Sequence, residues 1–454
     1  MNPLATADVT ERLRQHVSGR VIAPGEADYE TLRTTPSGAP DARPVVIVRA
    51  RSTADVVHAV AAARESGLEL AVRSGGHSGA GYSTTEGGIL LDLGEMKELE
   101  VDLEHRSARV QPGLTAGEYN EAVGRHGLAT GFGDTGSVGI GGITVGGGMG
   151  LLTRRYGLTI DSLLAAEVVT ADGGVLEADA DHHADLFWAV KGGGGNVGVV
   201  TRLTFRLHPV DEVLGGMLVL PATAEVIEGF VSLAGAAPDE LSTIANLMPC
   251  PPLPFVPAEV HGRPVLMAQL VHTGPLEAAQ QTLEPFRRLA EPYADLVRPI
   301  RYPEIFQGEE PGPMPEVVSR GGFARRIGAP EAAALAAAVA TPGSARIVQI
   351  RVLGGAVSRV DAAATAFAHR DQPMMLMLVA FCDGPEDRAR QERWLEEASG
   401  MLDDAAYVNF MGRESPERVR AAYPGGTWDR LVEVKRRYDP DNLFRLNQNV
   451  PPAG

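Results

Sequence analysis

GFGDTGSVGIGGITVGGGMG, residues 131–150, is the stretch on which the reading of this 454-residue chain turns. Its first six residues, GFGDTG (131–136), match GxGxxG letter for letter. A dinucleotide loop of the doubly wound kind has to follow a strand, open a helix and meet an acid ~20 residues on. The continuation SVGIGGITVGGGMG has no helical periodicity, and each glycine costs ~1 kcal/mol against alanine inside a helix. The stretch therefore reads as extended loop with closely approached backbone, and a doubly wound NAD site is excluded. No glycine-rich loop runs into Gly-Lys-Ser or Gly-Lys-Thr, so a P-loop is excluded as well.

Such a loop can turn many backbone N–H groups toward an anion and let a ligand touch the main chain. RSGGHSG (73–79) has the same character and follows the strand ELAVR (69–73); GGGG (192–195) follows the short helix HADLFWAVK. Two anion-holding loops in one domain suit a pyrophosphate, and so a dinucleotide held outside the doubly wound fold. Tight turns without a ligand are the competing reading for any single Gly pair. His77 stands between Gly76 and Ser78-Gly79 with little side-chain bulk beside it, which exposes its imidazole to whatever the loop binds. It could be a proton donor, a ligand contact or a covalent attachment point.

Around these loops the chain reads as α+β. The strands RPVVIVRA (43–50) and ELAVR flank a helix over 52–67, which predicts a parallel pair. Residues 98–111 and 165–178 read as hairpins. TAGEYNEAVGRHG (115–127) is a helix with a capping box at Thr115 and Glu118. VGVVTRLTFRL (197–207) alternates, with Val199, Thr201, Leu203, Phe205 and Leu207 on one face. After Pro209 the texture changes. Strands at 264–273, 346–355 and 374–382 and helices near 276–290, 330–340 and 385–402 predict one antiparallel sheet with helices on one side. Pro-rich runs at 249–257 and 311–315 read as loops.

Composition narrows the function classes. Asp and Glu total 58 against 41 Lys and Arg, a formal charge of −17, which disfavours a nucleic-acid partner. The two cysteines, Cys250 and Cys382, lie in no metal-binding pattern, and no metal is expected. No apolar run approaches the ~18 residues of a membrane span, and the N-terminus has no apolar signal-like core, so a cytoplasmic protein is expected. Nothing in the sequence specifies an oligomeric state.

Five motifs, RSGGHSGAGYS (73–83), SVGIGGITVGGGMGLLTRRYGLTIDSL (137–163), DLFWAVKGGGGNVGVVT (185–201), LGGAVSRV with ATAFAHR (353–370) and YDPDNLFRLNQN (438–449), make the chain resemble one family along nearly its whole length. It is the berberine-bridge-enzyme-like branch of the vanillyl-alcohol-oxidase/PCMH-type FAD-linked oxidoreductases. The resemblance implies an FAD-binding domain of two α+β subdomains (1–208), a substrate domain with an antiparallel sheet backed by helices (209–407), and a C-terminal segment (408–454) returning to the FAD domain. It implies FAD bound covalently through His77. Arg73, Ser74, Gly75, Gly76, Ser78 and Gly79 would wrap the pyrophosphate. Ser137, Val138, Gly139, Gly141, Gly142, Gly147 and Gly150 would run along the ribityl chain and ring, Val200 would lie on the adenine side, and Asn447 and Gln448 would close over the flavin.

Many members carry a second link from a cysteine in GxCPTVGxGG. Here DTGSVGIGG (134–142) puts Thr135 in that place, which implies a single tether, as in bacterial singly linked members. The implied activity is hydride transfer from a small or mid-sized alcohol, amine or polyketide-type substrate to flavin N5. Reoxidation by O₂ is expected, with small residues at 137–142 leaving room for it; a dehydrogenase with another acceptor, or a flavin carrier without turnover, are the alternatives. The Tyr-x-Asn motif of the family falls on Tyr407 and Asn409, with Tyr407 as base; the competing reading makes Tyr407 a core residue of a strand. Tyr156 is expected beside the ring, and His369 and Arg370 are expected to be structural. Gln349 and Arg351 share one face of a strand whose other face, Val348, Ile350 and Val352, is apolar. They would touch substrate if that face looks at the flavin.

Overall fold

The computed structural model describes residues 3–36, 41–306, 317–340 and 345–453. The proline-rich run at 311–315 lies outside the described residues. Two sheets and a two-stranded pairing of Leu128–Ala129 with His208–Pro209 come from the first part of the chain, and one large sheet comes from the second.

The first sheet has the order Arg20–Ile22, Val46–Arg49, Ile89–Asp92, Leu70–Arg73. The last three strands run parallel and their residues are almost wholly buried. Helix Thr53–Ser66 makes the crossover. It forms where the sequence placed it: the Ser52 hydroxyl accepts from Asp55 N, and Gly67 ends it at φ 68°. The predicted parallel pair is not adjacent, because Ile89–Asp92 inserts between its members. That central position suits the apolar run ILLDL, which has both faces covered. The second sheet is antiparallel, in the order Leu99–Asp102, Ser107–Val110, Val199–Arg206, Leu163–Val169, Val175–Ala178.

The third sheet is antiparallel throughout; its main path runs Ala294–Asp295, Glu212–Pro221, Pro264–His272, Leu241–Pro249, Arg346–Val352, Met374–Phe381, Val317–Ala324. Period-two alternation divides its faces. Leu247, Leu266, Val348, Ile350, Leu376 and Leu378 pack with Phe230, Leu283, Phe286, Leu335 and Trp394 from four helices on one side. The opposite face carries Gln349, Arg351, Met375 and Met377, in register with one another across the two strands. No helix among the described residues is long and apolar enough to cross a membrane.

One expectation fails within the deciding stretch. Residues Ile140–Gly146 form a short helix. Packing outweighs the glycine cost here. A Cβ on Gly141 would stand 2.8 Å from Pro112, and one on Gly146 would stand 2.0 Å from the Asn409 side chain, so glycine is what lets this helix approach its neighbours. The Thr144 hydroxyl also donates to Ile140 O at 2.6 Å.

Candidate active site

Strand Leu70–Arg73 ends in the first glycine loop, which is pressed backbone to backbone against the second. A Cβ on Gly75 would lie 2.2 Å from Gly139 N, and one on Gly139 would lie 2.2 Å from Gly75 N. No other residue fits at either position without moving main chain. Ser74 Oγ donates to Pro112 O at 2.6 Å, and Gly76 turns the chain at φ 77°. The second loop is pinned by Ala116 N to Val138 O (2.9 Å) and Ile140 N to Leu114 O (3.0 Å). The third cluster is tied to the C-terminal tail by Asn196. Its Nδ2 donates to Gly193 O and Gln448 O, and its Oδ1 accepts from Val450 N.

These loops and the third sheet enclose a cavity of about 510 Å³, within the range of ~300–1,000 Å³ usual for small-molecule and cofactor sites. Ser74, Gly75, Gly76, His77, Ser78, Gly79, Thr135, Val138, Gly139, Gly141, Gly142, Val200, Asn447 and Gln448 line one part of it. Gln349, Arg351, Tyr407 and Asn409 line another, so the polar face of strand Arg346–Val352 looks inward.

Several expected residues stand elsewhere. The Arg73 side chain turns away from the cavity, paired with Asp92 (2.7 Å) and donating to Thr34 O (2.9 Å) and Leu32 O. Buried there, it joins the first sheet to the segment before it. Ser137, Gly147 and Gly150 lie outside the lining. Gly150 is a packing glycine, since a Cβ would stand 1.5 Å from Phe132 O. Gly147 (φ 130°) makes room for the rings of Tyr407 and Phe367. Tyr156 is also outside the lining; its ring stacks on His208 at 4.0 Å and its hydroxyl donates to Pro209 O at 3.3 Å. Arg370 is buried in a two-pronged pair with Asp161 at 2.7 and 2.9 Å, and His369 meets Ala421 O at 3.2 Å.

Tyr407 lies in no strand. It directly precedes the 3₁₀ turn Val408–Phe410 and is 2% exposed. Its oxygen accepts from Gly148 N at 2.8 Å and from Asn409 Nδ2 at 2.9 Å. The same Asn409 nitrogen donates to Ile143 O at 3.0 Å, and a carbonyl there fixes which way the amide faces. Burial pushes the phenol up to about 12, and the donors from Gly148 and Asn409 pull the other way.

The sequence did not single out Asp134, Ser319 or Met377, all of which line the cavity. Asp134 pairs with Arg351 at 2.8 Å across the gap between loop and sheet. Its signal was present: a carboxylate inside the deciding glycine stretch. Lys435 and Asp439, beneath the tail, were also missed. Lys435 is one of only three lysines in the chain, and it is fully buried.

The residues present fit FAD. A Cβ on Gly79 or Gly142 would meet nothing within 4 Å, so at these lining positions the main chain lies open to a ligand. Asn447 Oδ1 and Gln448 Oε1 are buried and accept no hydrogen bond among the described residues. Buried acceptors without partners are uncommon and costly, and a dinucleotide brings N–H and O–H donors.

Comparison with known proteins agrees. Residues 44–179 match the model of an FAD binding domain and residues 406–451 that of the berberine and berberine-like segment. The chain is 31% identical to (R)-6-hydroxynicotine oxidase of Paenarthrobacter nicotinovorans, over 96% of this chain and 98% of that one. It is 30% identical to an FAD-linked oxidoreductase of Bacillus subtilis over 96% and 97%. The crystal structure of 6-hydroxy-D-nicotine oxidase from Arthrobacter nicotinovorans superposes with a TM-score of 0.86 at 28% identity, covering 96% of this chain and 98% of that chain. Physcomitrella patens BBE-like 1 shares the fold, with a TM-score of 0.87 at 23% identity over 98% and 99%. With these glycine loops closing on a cavity at the third sheet, and relatives matching end to end, the chain belongs to the berberine-bridge-enzyme-like FAD-linked oxidoreductases of the vanillyl-alcohol-oxidase/PCMH superfamily.

Proposed function

We propose that this FAD-linked oxidoreductase is an oxidase of a small or mid-sized alcohol, amine or polyketide-type molecule, with Tyr407 as base and FAD attached through His77 alone. In this reading residues 1–208 and 408–454 hold the cofactor and 209–407 cover it. The observation that carries the proposal is the Tyr407 hydroxyl, buried on the cavity wall with two N–H donors aimed at its oxygen.

FAD, when bound, supplies the two-electron acceptor that no side chain offers. The chain's own residues manage the proton and the pose. Gly148 N–H and Asn409 favour negative charge on the Tyr407 oxygen, so the phenol, having lost its own proton to solvent, can take the substrate's. Phe367 and Phe410 pack edge-on against the Tyr407 ring at 5.8 and 5.2 Å and hold it in place. Arg351 and Asp134 present a neutralised pair, so the cavity offers no free cation to a carboxylate or phosphate among its described charged groups. Met149, Met377 and Phe410 give the same region an apolar, adaptable wall.

The single tether is supported by where the cysteines lie. Cys250 is buried among Val219, Val256 and Val260, and Cys382 follows strand Met374–Phe381; neither lines the cavity. Reoxidation by O₂ draws support from the relative named an oxidase.

The test is anaerobic mixing of the yellow protein with a panel of aryl alcohols, secondary amines and phenolic polyketides. A compound that bleaches the flavin, with colour restored by air and one H₂O₂ formed per substrate, is the expected result. Bleached protein that stays bleached in air but recovers with an artificial acceptor would replace oxidase by dehydrogenase.

A further inference from the structure

Tyr407 and Arg351 lie against the same stretch of main chain. The Tyr407 oxygen accepts from Gly148 N at 2.8 Å, and Arg351 Nη1 donates to the next residue's carbonyl, Met149 O, at 2.9 Å. The two side chains also share Phe410. Its ring lies under the Arg351 guanidinium, 5.1 Å from centroid to Cζ, and edge-on to Tyr407 at 5.2 Å. Arg351 is held rigidly, with Nε donating to Gln349 Oε1 at 2.9 Å and Nη2 to Asp134 Oδ1 at 2.8 Å. Asp134 comes from the deciding glycine loop, so the anion of the pair and the cation reach this point from different sheets' surroundings.

Among the described residues, the other groups packed around Tyr407 are apolar, and the charged Arg370 beyond them is paired. Met149, Leu158, Ile160, Phe323, Leu353 and Met375 pack around it as apolar groups. Phe367 screens it from Arg370, which is committed to Asp161, and from His369, which faces Ala421 O. Among the described residues, His77 and Tyr82 are the other titratable groups of the cavity wall. Of the charges near the phenol, Arg351 is the one placed to act on it, and Asp134 acts through its pairing with Arg351.

We propose that Arg351 and Asp134 are opposed positioning residues that set the proton affinity of the Tyr407 hydroxyl, the guanidinium lowering it and the carboxylate restoring part of it. The proposal rests on the reading of Tyr407 as base. The physics gives the signs. A cation favours the phenolate, so its removal makes the hydroxyl hold its proton to higher pH; removal of the anion does the reverse. A purely structural ion pair behaves otherwise, because losing either partner breaks the same contact and the two variants change alike.

The experiment replaces all nine tyrosines of the FAD-loaded protein with 3-fluorotyrosine, which lowers every phenol's titration toward the pH range where the fold persists. The Tyr407 ¹⁹F resonance is identified by its loss in Tyr407→Phe. Arg351→Met is expected to move its midpoint up by about one pH unit, Asp134→Asn to move it down, and Arg351→Lys to return it most of the way. Midpoints that move in the same direction, or not at all, overturn the proposal. Should Arg351→Met fail to fold, Asp134→Asn decides alone: an unchanged or raised midpoint contradicts the pair's role. The readout needs no turnover. Opposed shifts beside a Tyr407→Phe variant of undiminished activity would uphold the electrostatic pair and remove Tyr407 as base.

Discussion

Tyr407→Phe lowers the rate of anaerobic flavin bleaching by about 10²–10⁴-fold, the usual contribution of a positioned general base, while FAD content and substrate affinity stay close to wild type. The ring is retained, so its edge-on contacts with Phe367 and Phe410 persist and the cavity keeps its shape. What disappears is the oxygen that Gly148 N and Asn409 Nδ2 serve. The pH dependence carries the sign. Burial holds the phenol up near 12, so the deprotonated form grows as pH rises, and wild-type bleaching should quicken from neutral into alkaline solution. The variant should lose that rising limb. Stopped-flow absorbance over a pH series checks both statements, and a variant that keeps wild-type rate and limb removes Tyr407 from the chemistry.

Lys435→Met is the substitution expected to cost most in stability. The Lys435 side chain is 0% exposed, and its ammonium bonds Asp439 Oδ2 at 2.6 Å, Asn196 O at 2.8 Å and Phe444 O at 2.8 Å. These three acceptors use all three of its hydrogens. Asp439 in turn accepts from Leu443 N and Phe444 N, so the pair organises the turn that carries the tail toward Asn447 and Gln448. Truncating one partner leaves the other charge buried and uncompensated, at about 3–5 kcal/mol. Thermal unfolding followed by flavin fluorescence should show a midpoint lower by several degrees and weaker FAD loading. Replacing both, Lys435→Met with Asp439→Leu, should recover part of the loss, because no buried charge is then stranded.

Much of the fold was legible because local signals agreed with one another. Ser52 and Gly67 bracket their helix, the Thr115–Glu118 capping box forms as written, and Thr201 to Arg206 alternate as their burial does. What misled were positions where tertiary packing overrules local preference. Ile140–Gly146 is helical although glycine-rich, because Pro112 and Asn409 press against its glycines. The strand Ile89–Asp92 could not be ordered between its neighbours from a crossover pattern alone, since strand insertion is a long-range choice. At the site, glycines and the Tyr-x-Asn motif marked both walls of the cavity. Tyr156 was misplaced because its stacking partner, His208, lies 52 residues on, and nothing local signals that contact. Asp134 escaped notice for a similar reason: its partner Arg351 sits in the far sheet, and only the folded chain brings them together.

The measurement that bears most directly on the account is mass analysis of the tryptic peptide 74–97, cut after Arg73 and Lys97 and containing His77. Protein denatured in acid before digestion should yield this peptide with the mass of FAD added at His77, and the peptides holding Cys250 and Cys382 without it. An unmodified 74–97 peptide, with the yellow colour left in the acid supernatant, would contradict the covalent site.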